Sequence, residues 1–412
     1  MPQKKVYPTN LIIRFLVFIV FSIFIWRHKV KKQMPDEVKQ LKAPYLVLAN
    51  HVGFWDPFLA GHFLKPFTHF VSSDAVFRNP LLRFFLTRLG TIPKKKNMRD
   101  SQVIRDIVAV INQGENVGIF PEAVRNWSGV TSPMDASIGK LIKMLKVPVV
   151  VPVLKGMNIL NPRWAYHLRS YPMLIEYKLV FTEEQVKNLS SEALYTELIK
   201  AMHQDDIAFQ QSRMIKIKSN KRAEHIGHAL YLCPECLAID SFRSKGNDFH
   251  CKACNNAIHI DDYGFFSRIS EGKLHFNNAR DWFDWEEKKL IEIIRQKYKN
   301  NFKEALFIDT DMEVFKNNEN GKLISIGMAD VYLYCDRIQV DFKKKEALIF
   351  SFFDLQTINP QTKERLEIFY NNDAYRIVGT RPGVSALKWE VAVNTIWKEM
   401  GLRAKMVPYI RV

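Results

Sequence analysis

Five apolar residues, Tyr45-Leu-Val-Leu-Ala49, give way at once to Asn50-His51, and the chain restarts at Asp56-Pro57. A run this short and this apolar is an interior strand. Asp followed by Pro is a helix start, with Asp56 as N-cap and Pro57 at the first helical position. Gly53 lets the backbone fold back between the two elements. His51 and Asp56 therefore share one strand-to-helix loop, the place where layered α/β folds present reactive side chains. A neutral imidazole there can take the proton of a hydroxyl, and a carboxylate beside it fixes the tautomer of the ring.

The following segments keep alternating. Residues 57–64 read as a helix and 67–72 as a strand. Residues 79–89 are a helix opened by a second Asn-Pro cap, rich in Phe beside basic residues, as a membrane-facing or acyl-lining wall would be. Residues 98–112 are an amphipathic helix halted at Gly114. Residues 117–120 form a strand that delivers Pro121-Glu122 at its carboxyl end. Residues 136–145 are a helix with Lys140, Lys143 and Lys146 on its polar side, and 147–154 a strand too apolar for an exposed edge. Residues 190–209 close this half as one helix. Such alternation specifies an α/β layer structure, and a parallel sheet would bring His51 and Glu122 to one crevice.

Asn50-His51 with Asp56, Gly90-Thr-Ile-Pro-Lys-Lys-Lys96, Phe120-Pro-Glu-Ala-Val-Arg125 and Val147-Pro-Val-Val-Val-Pro-Val153 resemble, in order and spacing, the four blocks of the glycerolipid acyltransferase family. The resemblance spans residues 40–215. It implies that His51 is a general base, that Asp56 orients it, and that Glu122 and Arg125 hold an acceptor glycerophosphate. Lys94, Lys95 and Lys96 would bind phosphates of acceptor or carrier. The implied reaction moves an acyl group from acyl-CoA or acyl-carrier protein onto a lysophospholipid, 1-acylglycerol 3-phosphate above all. Backbone N–H groups around Gly53 or Glu122 would face the oxyanion. Ala123 and Val124 stand where the family has glycine and threonine, and lysines stand where it has an arginine, a change that alters phosphate geometry.

Met1 to Met34 carry seven Lys/Arg and no acidic residue around the apolar run Leu11–Trp26. At 16 residues with Arg14 inside it, that run is short of the ~20 a spanning helix needs. The expectation is a helix lying in the cytoplasmic leaflet of the cell membrane, with Trp26 at the interface and the basic flank on headgroups; a spanning helix with Arg14 snorkelling is the alternative. The whole chain has a net charge of +17, which favours polyanionic surfaces. Because the basic residues sit beside apolar and aromatic segments and no base-stacking motif accompanies them, the expected surface is anionic lipid, with no nucleic-acid partner.

Cys233-Pro-Glu-Cys236 and Cys251-Lys-Ala-Cys254, 14 residues apart, match the paired knuckles of a zinc ribbon, four thiolates around a structural Zn2+. After a tryptophan-bearing helix over 278–299, packing between domains, the pattern becomes short β-type runs at 305–308, 331–334, 337–340, 347–352, 365–370 and 374–378. A helix over 385–400 closes the array. This succession resembles the pleckstrin-homology-like superfold, which implies membrane targeting or partner binding. The expected organisation is a membrane-associated helix (1–34), an α/β acyltransferase domain (35–215), a ribbon (216–275), a linking helix (276–300) and a mainly-β domain (301–412). Two other readings remain: an inactive lipid-binding scaffold on the same shell, and a zinc-ribbon nucleic-acid binder.

Overall fold

The computed structural model describes residues 6–94, 101–300, 303–319, 321–361 and 364–407. Met1–Pro162 and Arg169–Ile215 make one unit, and Arg163–Leu168 with Lys216–Val412 make another.

The first unit is built on seven strands: β1 (Lys31–Gln33), β2 (Leu46–Leu48), β3 (Thr68–Ser73), β4 (Ile92–Lys94), β5 (Asn116–Ile119), β6 (Val149–Lys155) and β7 (Leu174–Phe181). They lie in the order β1-β7-β6-β2-β5-β3-β4. All neighbours are parallel except β6 and β7. Strands covered on both faces must be apolar throughout, and Leu46, Val47, Leu48, Val149, Val150 and Val151 are fully buried. Val103, Ile107 and Val110 form one stripe of the helix Ser101–Asn112, Ile138 and Ile142 one stripe of Ser137–Leu145; both stripes belong to the same core. Parallel register pairs Leu48 with Ile119, so the loops after β2 and β5 emerge side by side.

The helix expected over 190–209 is two helices, Ser191–Met202 and Asp206–Arg213. Asp205 starts the second by accepting from the N–H groups of Ile207 and Ala208. The break brings the buried Asp206 carboxylate onto the N–H groups of Gly156 and Asn158, just past β6.

Leu11–Arg27 is one helix, capped by the Asn10 side chain. Its inner face stacks Phe21 on Phe58 (4.6 Å between centroids) and Phe18 on His62 (4.6 Å), while Arg14 sits 4.5 Å over the Phe67 ring. Leu11, Ile12, Phe15, Val20, Ile23 and Trp26 are exposed. Among the described residues no helix is long and apolar enough to cross a membrane.

In the second unit, β8 (Phe242–Lys245), β9 (Asp248–Cys251), β10 (Ala257–Ile260) and β11 (Phe266–Arg268) form an antiparallel ribbon. Trp282, on the helix Ala279–Asn300, fills the space among Phe242, Phe249 and Phe266, and its indole N–H donates to Leu232 O at 3.0 Å. This helix packs on the closing helix Leu387–Glu399 of the same unit. Seven antiparallel strands follow: β12 (Phe307–Asn317), β13 (Leu323–Leu333), β14 (Arg337–Phe342), β15 (Leu348–Ser351), β16 (Leu355–Gln361), β17 (Arg365–Tyr370) and β18 (Asp373–Gly379), ordered β15-β14-β13-β12-β18-β17-β16. The strand β16 has no counterpart among the β-type runs of the sequence. Pro360 lies within it, tolerated because β16 is an edge.

Leu387 to Trp397 are buried without a break, so the closing helix is a central element of its unit. Trp397, fully buried, donates its indole N–H to Phe352 O at 3.2 Å. Trp397→Ala should cost about 3–5 kcal/mol, read as a lower urea midpoint for the unit's unfolding; an unchanged midpoint would show that this helix is not part of the core.

Candidate active site

The loop after β2 is organised by one oxygen. Asp56 Oδ2 accepts from the N–H of Val52 (2.6 Å), the N–H of Gly53 (2.8 Å) and Nδ1 of His51 (2.9 Å). Asp56 is therefore not the N-cap of its helix. Trp55 occupies that position with no side-chain cap, and the Asp56 carboxylate turns back into the loop. An acceptor at Nδ1 places the ring proton there and makes Nε2 the basic nitrogen. Asp56 is fully buried, and its Oδ1 has no hydrogen-bond partner among the described residues. A Cβ on Gly53 would come 2.7 Å from Met157 Cε and 3.2 Å from Asp56 Oδ1, so the tight turn requires glycine.

The His51 ring stacks on Phe120 at 4.4 Å and lines a cavity of about 1140 Å3. Phe15, Phe18 and Phe21 of the first helix, Leu86 and Ile107 line the same space, as do the cations Lys94, Arg125 and Lys140. The helix Pro80–Arg88 exposes Leu81 and Phe84 while Leu86 faces the cavity. It thus serves both as an exposed apolar face and as a cavity wall. Lys95 and Lys96 lie outside the described residues. Lys140 is absent from the sequence-derived site because on a helix it reads as part of a solvated face.

Glu122 does not face the cavity. It is 1% exposed, and its two oxygens accept from the N–H of His51 (2.6 Å) and of Ser132 (2.6 Å). Burial pushes its carboxyl up to about 8 against those two bonds. It is a staple between the β2 loop and the segment near 130, in place of a substrate ligand. Arg125 is half-buried and lines the cavity; burial lowers its pKa, and the Asp56 carboxylate opposes that only in part. Ala123 is exposed and holds φ +62°, the left-handed region where glycine costs nothing and alanine about 1 kcal/mol. The backbone shape that a glycine would favour is thus retained.

Oxyanion donors cannot be the N–H groups of Val52 or Gly53, which Asp56 takes, or of Ala123, which bonds Phe120 O. Two further residues hold the frame. Asn50 exchanges a pair of hydrogen bonds with the backbone of Leu154 (3.1 and 2.7 Å), tying the β2 end to β6. Asp206, pushed up to about 6 by burial, fixes the turn that carries Met157 against Gly53. Asn50 precedes the motif histidine and was visible there; Asp206 had no signal beyond an Asp-Asp pair at a helix start.

In the second unit, the Sγ atoms of Cys233, Cys236, Cys251 and Cys254 all lie within 4.8 Å of one another, with Cys233–Cys254 at 3.7 Å and Cys236–Cys251 at 3.8 Å. Tetrahedral thiolates about 2.3 Å from a zinc ion would be about 3.8 Å apart, so the cluster is compatible with zinc. His225 and His250 are not among the clustered ligands.

Residues 29–155 match the Acyltransferase family. The matched segment contains His51, Asp56, Glu122 and Arg125. The chain is 24% identical over 113 residues to a 1-acyl-sn-glycerol-3-phosphate acyltransferase of Bacillus subtilis, covering 27% of this chain and 56% of that one. It is 24% identical over 160 residues to one of Borreliella burgdorferi (36% and 63%), and 23% over 137 residues to a chloroplastic one of Brassica napus (33% and 40%). The chain thus spans less than two thirds of the length of these relatives. The crystal structure of the 1-acyl-sn-glycerophosphate acyltransferase PlsC from Thermotoga maritima is similar with a TM-score of 0.41 and 15% identity, over 49% of this chain and 80% of that one.

With a folded-state pKa raised from 4.5 to about 8, Glu122 contributes stability that is full below 4.5 and lost as pH rises through about 8. Thermal midpoints should fall across that window in the wild type and fall less in Glu122→Gln; identical slopes would mean that Glu122 is ionised throughout.

Proposed function

We propose that the chain is an O-acyltransferase working at an anionic membrane surface, moving a fatty acyl group from a thioester donor, acyl-CoA or acyl-carrier protein, to the free hydroxyl of 1-acylglycerol 3-phosphate and giving phosphatidate. The observation that carries this reading is the His51–Asp56 pair on the wall of a large, mostly apolar cavity that also holds Arg125. The names of the curated relatives favour the same substrate class.

In this mechanism His51 Nε2 takes the proton of the acceptor hydroxyl, while Asp56 holds Nδ1–H and stabilises the imidazolium. The alkoxide attacks the thioester carbonyl, the C–S bond breaks as the ester C–O bond forms, and the imidazolium returns its proton to the leaving thiolate. Arg125, with Lys94 beside the same cavity, binds the acceptor phosphate. Glu122 acts at one remove by seating the His51 backbone. The exposed apolar residues of Leu11–Arg27 and of Pro80–Arg88, flanked by arginines, rest on the cytoplasmic leaflet. Cys233, Cys236, Cys251 and Cys254 would hold a structural Zn2+ that ties together a segment with little core of its own. The seven-stranded sheet with its closing helix is a pleckstrin-homology-like domain that serves targeting.

His51→Ala should lower turnover by roughly a hundred- to ten-thousandfold without changing the fold. Arg125→Ala should raise the KM for the lysophospholipid more than it lowers kcat; a full rate in the first variant, or a donor-side effect alone in the second, would contradict these assignments. Metal analysis should find one zinc per chain, and chelation should lower the thermal midpoint of the second unit; metal-free protein with the same midpoint would remove zinc from the account.

A further inference from the structure

We infer that the second unit carries a separate oxyanion site, built by Arg243 and Arg381 with Lys388 behind them, for the phosphate of a phosphomonoester. This goes beyond the acyl-transfer reading and does not depend on it. A cavity of about 180 Å3 lies where the chain after Cys236, the start of β12 and the loop before the closing helix converge, and Ile239, Phe307 and Val384 share its wall with these cations. At about 30 Å3 per water it has room for one tetrahedral oxyanion and a few waters, and none for an acyl chain.

The wall also contains two carboxylates, and both are already engaged. Asp240 accepts from Lys388 Nζ and from the N–H of Ser385; Asp309 accepts from Lys388 Nζ (2.6 Å) and from the indole N–H of Trp389 (2.7 Å). Lys388, 1% exposed, is thus fixed between them and offsets one of the two charges.

The two arginines are anchored and still have donors to offer. Arg243 Nη1 donates to Phe242 O (2.7 Å), and Arg381 Nη2 donates to Thr310 Oγ1 (2.6 Å). Among the described residues neither Nε nor the other Nη of either guanidinium has a partner. In Arg243 the free Nε and Nη2 share one edge, the fork that receives two phosphate oxygens, while Arg381 offers its Nη1 as a single-ended donor. Gly383, at φ +82°, lets the backbone pass Arg243 closely, since a Cβ there would stand 3.0 Å from Phe242 O and 3.4 Å from Arg243 Nη1. Three cations against two saturated carboxylates leave a net positive, half-enclosed cavity.

The test uses the full, zinc-loaded chain in an Arg125→Ala, Lys94→Ala background, which removes the two cations assigned to phosphate in the acyltransferase cavity. Thermal midpoints are measured against inorganic phosphate and glycerol 3-phosphate, with chloride at equal ionic strength as reference. Both probes should raise the midpoint in a saturable way. Arg381→Gln, an exposed change that leaves the chloride midpoint in place, should weaken the apparent Kd at least about tenfold, and Arg243→Gln likewise. Sedimentation with phosphatidate vesicles identifies the source: vesicle binding lost in Arg381→Gln assigns a lipid headgroup, and saturation by soluble phosphate alone assigns a free phosphomonoester. No phosphate-dependent shift, or a shift that survives both substitutions, overturns the site.

Discussion

One carboxylate oxygen holds the candidate active site together. Asp56 Oδ2 collects two backbone N–H groups and an imidazole N–H within five residues, and this tight loop exists only because β2 stops at Leu48 and Gly53 has no side chain. Burying an ionised carboxylate is expensive unless its hydrogen-bonding capacity is used, and three donors on one oxygen supply much of that compensation. The charge of Arg125 adds to it. Around this centre the parallel register of β2, β5 and β6 sets the spacing. Asn50 reaches β6, Glu122 reaches back to the His51 N–H, and Asp206 braces the turn that presses Met157 on Gly53. The imidazole is therefore placed by backbone contacts from several strand ends, which is how a rigid sheet confers precision on a loop.

The second unit solves a different problem, that of small elements with few apolar residues. Trp282 fills the ribbon from the adjoining helix, and the buried Glu286 of that helix accepts the N–H groups of Tyr231 and Leu232, immediately before Cys233. Burial holds the Glu286 pKa well above the usual carboxylate range. Lys388, Asp240, Asp309 and Trp389 form a buried polar network in which each charge has a partner; removal of any one member would strand the others.

Much of this was legible in the sequence, for identifiable reasons. Buried parallel strands need unbroken apolar runs, so β2 and β6 announce themselves, and the Asn79-Pro80 start is a local signal that the structure keeps, with Asn79 accepting from Leu81 and Leu82. Local signals failed where tertiary demand won. Asp56-Pro57 reads as a cap, yet the carboxylate has stronger partners in the loop. Glu122 sits in a motif, and only the fold shows that both its oxygens meet backbone. A single helix over 190–209 reads through Asp205, a capping residue, because its apolar period continues across the break. Edge strand β16 was hidden by Pro360, and Lys140 by its place on an otherwise solvated helix face.

The central claim is that His51 and Asp56 act on a hydroxyl presented within the apolar cavity. It is tested most directly by a crystal structure with a lysophospholipid and a non-hydrolysable thioether analogue of the acyl donor. The acceptor hydroxyl should lie about 2.6–3.2 Å from His51 Nε2, with Nδ1 still on Asp56 and the acyl chain among Phe15, Phe18 and Leu86. A hydroxyl bound far from His51, or an acyl chain lodged outside this cavity, would contradict the account.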